Sequence, residues 1–252
     1  MELLKTYVLH TRPWRDSSLL VDLLVEQQGR VRAIARGQRR QSSRHSGNIC
    51  QPFRPLLASL RGGGELKNLS RLEADGLVSR LPGDRLYAGF YVNELLLRVL
   101  PESDPHPRLY ADYQQLLAVL ALPSAAIEPA LRYFECTLLE QLGYAIDFVH
   151  EAHTGNPLQA DIEYQFVAEV GFVALDGRGG RDGPVYPGAE LLKVGRGQLE
   201  SASTRAVAKQ LMRQALAPLL GDKPLQSRML YRPAAGVGQP QSVASSEYDG
   251  EI

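Results

Sequence analysis

A chain of 252 residues with 44% hydrophobic and 22% charged side chains has the make-up of a globular protein, which excludes a wholly disordered chain. Met1–Leu9 carries Glu2 and Lys5 and no apolar run approaches a membrane span, so neither a secretion leader nor a membrane helix is expected, and the cytoplasm is the default compartment. The formal charge is zero, yet residues 1–80 hold 14 basic and 7 acidic side chains and the remainder 14 and 21, so a +7 half precedes a −7 half and each half should meet a different partner.

In chain order, five short β-rich runs come first: Tyr7–Arg12, Ser18–Glu26, Arg30–Arg36, Gln51–Arg61 and Glu65–Glu73. Gly29 marks a tight turn, Gly62, Gly63 and Gly64 link the last two runs, and Pro52 and Pro55 restrict how the fourth pairs. Five antiparallel strands in so short a stretch predict an OB-like barrel over residues 1–80. The connection GQRRQSSRHSGN, Gly37–Asn48, is too polar for the core and reads as a mobile basic loop.

After Pro82 the period becomes helical. Asp84–Leu100 places Leu86, Phe90, Asn93, Leu97 and Leu100 along one face, and a second helix spans Pro107–Leu122. A third starts near Glu128 and closes at Gly143, with Leu131, Phe134 and Leu138 as its buried stripe. Glu163–Leu175 reads as a hairpin, followed by glycine-rich DGRGGRDG and the turn-prone PVYPG. The predicted organisation is α+β: the barrel, a mainly helical domain over 81–232 with a small β-hairpin insert near 151–190, and a last helix, Thr204–Leu220, capped by Gly221. The tail 233–252 has too few apolar anchors to join a core and reads as disordered.

Alternation in Arg30–Arg36 turns Val31, Ala33 and Ala35 inward and Arg30, Arg32 and Arg36 to the opposite face. Arg39, Arg40 and Arg44 extend this strip, Lys67 and Arg71 share a face at spacing i, i+4, and Arg12 and Arg15 flank Trp14. Guanidinium suits phosphate because its planar fork stays charged and bonds oxygens in pairs. Trp14 and His10 are candidates to stack on unpaired bases, whereas Tyr7 and Phe53 read as core. The alternative for the arginines is a solvated face.

The run YVLHTRPWRDSSLLVDLLVEQQGRVRAIARG with QPFRPLL, and later LYAGFYVNELLLRVL, EPALRYFECTLLEQLGY and LAPLLGDKPLQSRMLY, closely resembles RecO proteins over residues 1–231. That resemblance implies an N-terminal OB fold joined to a helical domain. It also implies binding of single- and double-stranded DNA, strand annealing, contacts with RecR and with the single-stranded-DNA-binding protein SSB, and help in loading RecA. The family's SSB contact receives an acidic, apolar tail on the helical domain. Here Arg132, Cys136 and Leu139 share a helix face that suits it, unless Arg132 instead pairs internally with Glu128 or Glu135. Arg205, Lys209 and Arg213 form a further basic stripe that could extend the DNA path or contact a partner, but reads mainly as a solvated face.

Many RecO relatives hold zinc through four cysteines, but His150–Pro157 contains none. His150 and His153 alone make a poor site, and Cys50 and Cys136 are the only cysteines in the chain, so neither a metal nor a disulfide framework is expected. No nucleotide loop, nucleophile elbow or paired carboxylates stand out, so neither a catalytic residue, a cofactor nor a small-molecule substrate is expected. Two other classes remain open: a scaffold whose basic barrel binds an acidic protein, and a metal-dependent nuclease built on residues such as Asp16, Asp22 and Glu26.

Overall fold

The computed structural model describes residues 2–37, 49–77, 79–175 and 183–230. Arg39, Arg40, Arg44, most of the glycine-rich DGRGGRDG segment and the tail 233–252 lie outside the described residues.

Strands β1 (Leu4–Trp14), β2 (Ser18–Val25), β3 (Gly29–Ala35), β4 (Leu56–Arg61) and β5 (Leu66–Ala74) close into a barrel in the order β1-β2-β3-β5-β4, with β3 and β5 parallel. The expected β-barrel is therefore present. Its interior is filled by the alternate residues Val8, Val21, Leu23, Val31, Ala33, Ala35 and Leu56, joined by Cys50, whose thiol burial pushes up to about 11. The predicted fourth strand starts late because Pro52 and Pro55 precede Leu56 and Phe53 sits at a positive φ of 65°.

The helical part comprises α1 (Asp84–Val99), α2 (Pro107–Ala121), α3 (Ile127–Gln141), α4 (Gly188–Gly195), α5 (Ala202–Leu220) and a closing turn, α6 (Ser227–Leu230). Gly143, at φ 83°, ends the turn after α3 in the left-handed region, as its position suggested. Among the described residues no helix is long and apolar enough to cross a membrane.

The insert differs from the expected hairpin. β6 (Glu163–Val167) pairs with β7 (Gly171–Ala174) and also with β8 (Val185–Pro187), so PVYPG supplies a third strand and then the start of α4 rather than a simple turn. Gly188 permits that join: a Cβ there would lie 1.9 Å from the Gln159 carbonyl oxygen. The sheet buries Tyr164, Phe166, Phe172 and Tyr186 in the same apolar cluster as the helices.

α1 is central, packing on the barrel, α2, α3, α5 and α6. Its most buried face is Ala88, Val92, Asn93, Leu95 and Leu96, whereas Leu86, Phe90 and Leu97 are only partly covered. A helix surrounded by several neighbours buries more than one stripe, so the simple period misplaces its deepest residues.

Two joints bind barrel to helices. In β1, Val8 pairs with Leu23 but His10 with Asp22, so Leu9 is an extra residue in a β-bulge. The Leu9 carbonyl accepts a 2.9 Å bond from Asn93 Nδ2, and the Tyr113 hydroxyl donates to Asn93 Oδ1 at 2.7 Å, all of it buried. Tyr7 packs edge-on to Tyr113 at 5.1 Å, which confirms it as core along with Phe53. At the second joint the α1–α2 connection runs along β3: Ser103 N–H donates to the Arg30 carbonyl at 2.8 Å, and a Cβ on Gly29 would lie 1.7 Å from the Asp104 carbonyl oxygen.

Candidate nucleic-acid face and partner groove

Strand pairing lays the outer residues of the barrel out in rows. His10, Asp22, Arg32 and Leu66 lie abreast, as do Arg12, Leu20, Ile34 and Asn68, with Trp14 and Ser18 beyond them. Arg30, Arg32 and Arg36 do leave β3 and its end on one face, but the helical part divides them.

Arg30 is largely covered. Its Nε donates to the Leu100 carbonyl at 2.9 Å, while Nη2 lies 3.5 Å from Glu102 and Nη1 3.9 Å from Asp22. Arg32 reaches Asp22 at 3.3 Å and Glu102 at 2.9 Å. These two guanidiniums therefore face carboxylates at the joint with the helices. Glu102 reaches β3 only through the tertiary fold, whereas Asp22, named above as a possible metal ligand, lies directly opposite Arg32 in the β2–β3 pairing and serves as its ion-pair partner.

At the opposite end of the same face Arg36 is exposed, its Nη2 donating to Asn68 at 3.2 Å and to no other side chain among the described residues. Arg12 is exposed with no ion-pair partner among the described residues, Arg15 is exposed at φ 53°, and Trp14 is half-buried between them. His10, exposed on the same strand face as Arg12 and Trp14, completes a basic and aromatic surface over the apolar Leu20 and Ile34.

Lys67 and Arg71 do not share a face. Ser59 pairs with Arg71 but Leu60 with Leu69, so Ser70 is an extra residue and the alternation slips by one. Arg71 stays in phase with Glu73, which it binds at 2.6 Å, while Lys67 turns to the Gly62 carbonyl at 3.0 Å.

On the helical part, α1, α3 and α5 enclose a groove of about 770 Å³. Arg132 lines it, 8% exposed, with Nη2 on Glu135 Oε1 at 2.6 Å, and the Tyr91 hydroxyl donates to the same oxygen at 2.6 Å. The internal pair with Glu135 is thus present, and Arg132 Nε is buried with no hydrogen-bond partner among the described residues.

Cys136 and Leu139 are not on the groove wall. Leu139 is 1% exposed in the core and Cys136 packs on Met212, sulfur to sulfur at 3.6 Å, because α5 covers that side of α3. The groove instead recruits Arg205, Lys209 and Arg213 from α5. Glu128 bridges to this wall through Lys209 at 3.1 Å and Arg205 at 3.6 Å, and Arg213 is exposed without an ion-pair partner among the described residues. The i, i+4, i+8 spacing was visible, but its placement beside α3 was not.

The segment around His150–Pro157 is held by side-chain hydrogen bonds. Asp147 accepts from the backbone N–H groups of Val149 and His150 and lies 3.0 Å from His150 Nδ1. Glu151 accepts from the Thr154 hydroxyl at 2.5 Å and its N–H at 2.6 Å, which lowers its carboxyl to about 2. Among the described residues no cluster of three or more His, Cys, Asp or Glu is disposed to hold a metal.

Residues 1–76 match the family model "Recombination protein O N terminal" and residues 80–229 match "Recombination protein O C terminal". The chain is 42% identical over 237 residues to the DNA repair protein RecO of Cellvibrio japonicus, covering 93% of this chain and 98% of that one. It is likewise 42% identical over 244 residues to the RecO of Pectobacterium atrosepticum, covering 94% and 97%, and 40% identical over 258 residues to that of Sodalis glossinidius, covering 98% and 96%.

Proposed function

The chain belongs to the recombination protein O family of DNA-repair proteins, and on that premise we propose that it is a non-catalytic recombination mediator. In this reading it binds single- and double-stranded DNA without strong sequence preference, anneals complementary strands, and with RecR helps load RecA onto SSB-coated strands in the cytoplasm, at the nucleoid. The observation that carries the DNA reading is the outer barrel face on which Arg12, Trp14 and Arg36 stand clear of the helices. Guanidiniums there neutralise phosphates and release counterions, while Trp14 and His10 offer stacking surfaces. Lower repulsion between two backbones, with base edges left free, favours annealing without a chemical step.

The groove is the proposed seat of the SSB tail. The Arg132 guanidinium and the cations of α5 suit carboxylates, and Ile127 and Leu131 offer apolar contact.

Anisotropy titration of a single-stranded oligonucleotide tests the DNA face. Arg12→Ala with Arg36→Ala should weaken binding more than tenfold at moderate salt and lower the salt slope by about 1.4, at about 0.7 for each phosphate no longer neutralised. An unchanged slope would move DNA off this face, and the absence of oligonucleotide binding by the parent would favour a scaffold for an acidic protein. For the groove, Arg132→Glu and, separately, Lys209→Glu should abolish SSB-tail peptide binding with DNA affinity retained. The second variant is needed because the first sets a carboxylate beside the buried Glu135.

A further inference from the structure

The chain leaves the described fold at the groove itself. Ser227 lines the groove and Leu230 is the last described residue. The exit is pinned to α1. Glu94 accepts from the N–H groups of Gln226 and Ser227, both at 2.8 Å, and from the Ser227 hydroxyl at 2.7 Å, while Arg98 Nη2 donates to the carbonyls of Leu220 at 2.8 Å and Lys223 at 2.6 Å.

Beyond this point the sequence has two parts. Tyr231–Ser246 is rich in Gly, Pro, Ala, Gln and Ser, and Glu247–Ile252 reads EYDGEI, with three carboxylates, the apolar side chains of Tyr248 and Ile252, and no Lys or Arg after Arg232. The groove offers the complement: Arg132, Arg205, Lys209 and Arg213 line it against Asp84 and Glu128 among the described residues, with Ile127 and Leu131 between, while Arg85 is held on the carbonyls of Leu120, Pro123 and Ala125. Lys209 and Arg205 already hold one carboxylate of this chain, that of Glu128.

We propose that Glu247–Ile252 docks in this groove of its own chain and competes there with the acidic, apolar tail of the partner. The inference rests on the groove reading given above. The sixteen residues of Tyr231–Ser246 span up to ~50 Å at ~3.3 Å each, ample to return to a groove that begins at Ser227. Tethering supplies an effective concentration of ~1 mM, so a six-residue segment with a dissociation constant of ~0.1 mM weakens a competing ligand about tenfold. Because the competitor is attached, a loose complex suffices to hold the groove until a stronger or multivalent acidic ligand displaces it.

The test compares the full chain with a variant carrying Glu247→Gln, Asp249→Asn and Glu251→Gln, each titrated with a labelled SSB-tail peptide by fluorescence anisotropy. The variant should bind about tenfold more tightly. A labelled Glu247–Ile252 peptide should also bind that variant, and adding Arg213→Glu should remove this binding. Equal SSB-peptide affinities in the parent and the variant overturn self-docking and leave the groove reading standing. So does a tighter variant that does not bind the hexapeptide, since the tail would then act by general repulsion. SSB peptide binding to neither protein defeats the groove reading and self-docking together.

Discussion

Arg30 and Arg36 leave one strand toward the same side, yet one is sealed between Asp22, Glu102 and the Leu100 carbonyl while the other meets water and Asn68. The two ends of one barrel face thus serve different ends. The helix-facing end spends its cations on holding two parts of the molecule together, and the open end keeps Arg12, Trp14 and Arg36 available. A surplus of positive charge in the sequence is therefore an upper limit on the charge a polyanion can meet, because cations paired in the fold are already neutralised.

The largest effects are expected at the sealed end. Asn93→Leu leaves the Leu9 carbonyl and the Tyr113 hydroxyl buried without partners, and should cost about 4 kcal/mol in urea denaturation, at about 1–3 kcal/mol for each orphaned group. Gly29→Ala drives a Cβ into the Asp104 carbonyl at a φ of 70° and should cost about 3 kcal/mol, a strain of the kind stored at forced backbone positions. Loss of less than about 1 kcal/mol in either would mean that the joint is looser than its geometry.

Charge removal then separates the two ends directly. Arg30→Met should lower stability by about 2 kcal/mol by leaving Glu102 and Asp22 less well paired, with no change in the salt slope of DNA binding. Arg36→Met should leave stability within about 0.5 kcal/mol and weaken DNA binding. The reverse pattern would exchange the roles of the two ends.

A smaller effect concerns the Glu151 turn. Its carboxyl is lowered from 4.5 to about 2, so its stabilisation is complete above pH 4.5 and is lost as the pH falls through about 2. The melting temperature of Glu151→Gln should therefore lie below that of the parent near neutrality, with the gap closing only below pH 4.5. A gap independent of pH would assign the turn's stability to its backbone bonds alone.

Much of this was legible in the residues. The barrel strands follow from alternation, Val31, Ala33 and Ala35 point inward as their phase requires, and the helices over Asp84–Val99, Pro107–Ala121 and Ala202–Leu220 follow from apolar period and turn residues. Both bulges escaped notice because an extra residue has no compositional mark: the one at Leu9 creates the Asn93 joint, and the one at Ser70 separates Lys67 from Arg71. The third strand and α4 of the insert escaped for a related reason, since PVYPG has turn chemistry and its strand forms only against β6.

Which residues alternate, which repeat at helical spacing and where charge accumulates depend on neighbours along the chain, and so can be read from it directly. Which charges remain available depends on how the chain folds back on itself. Folding buried Arg30 against Glu102, 72 residues away, packed Cys136 on Met212 of α5 and sank Leu139 into the core, and brought Arg205, Lys209 and Arg213 beside Arg132. Pairing and desolvation act between groups close in space, and separation along the chain does not specify that distance.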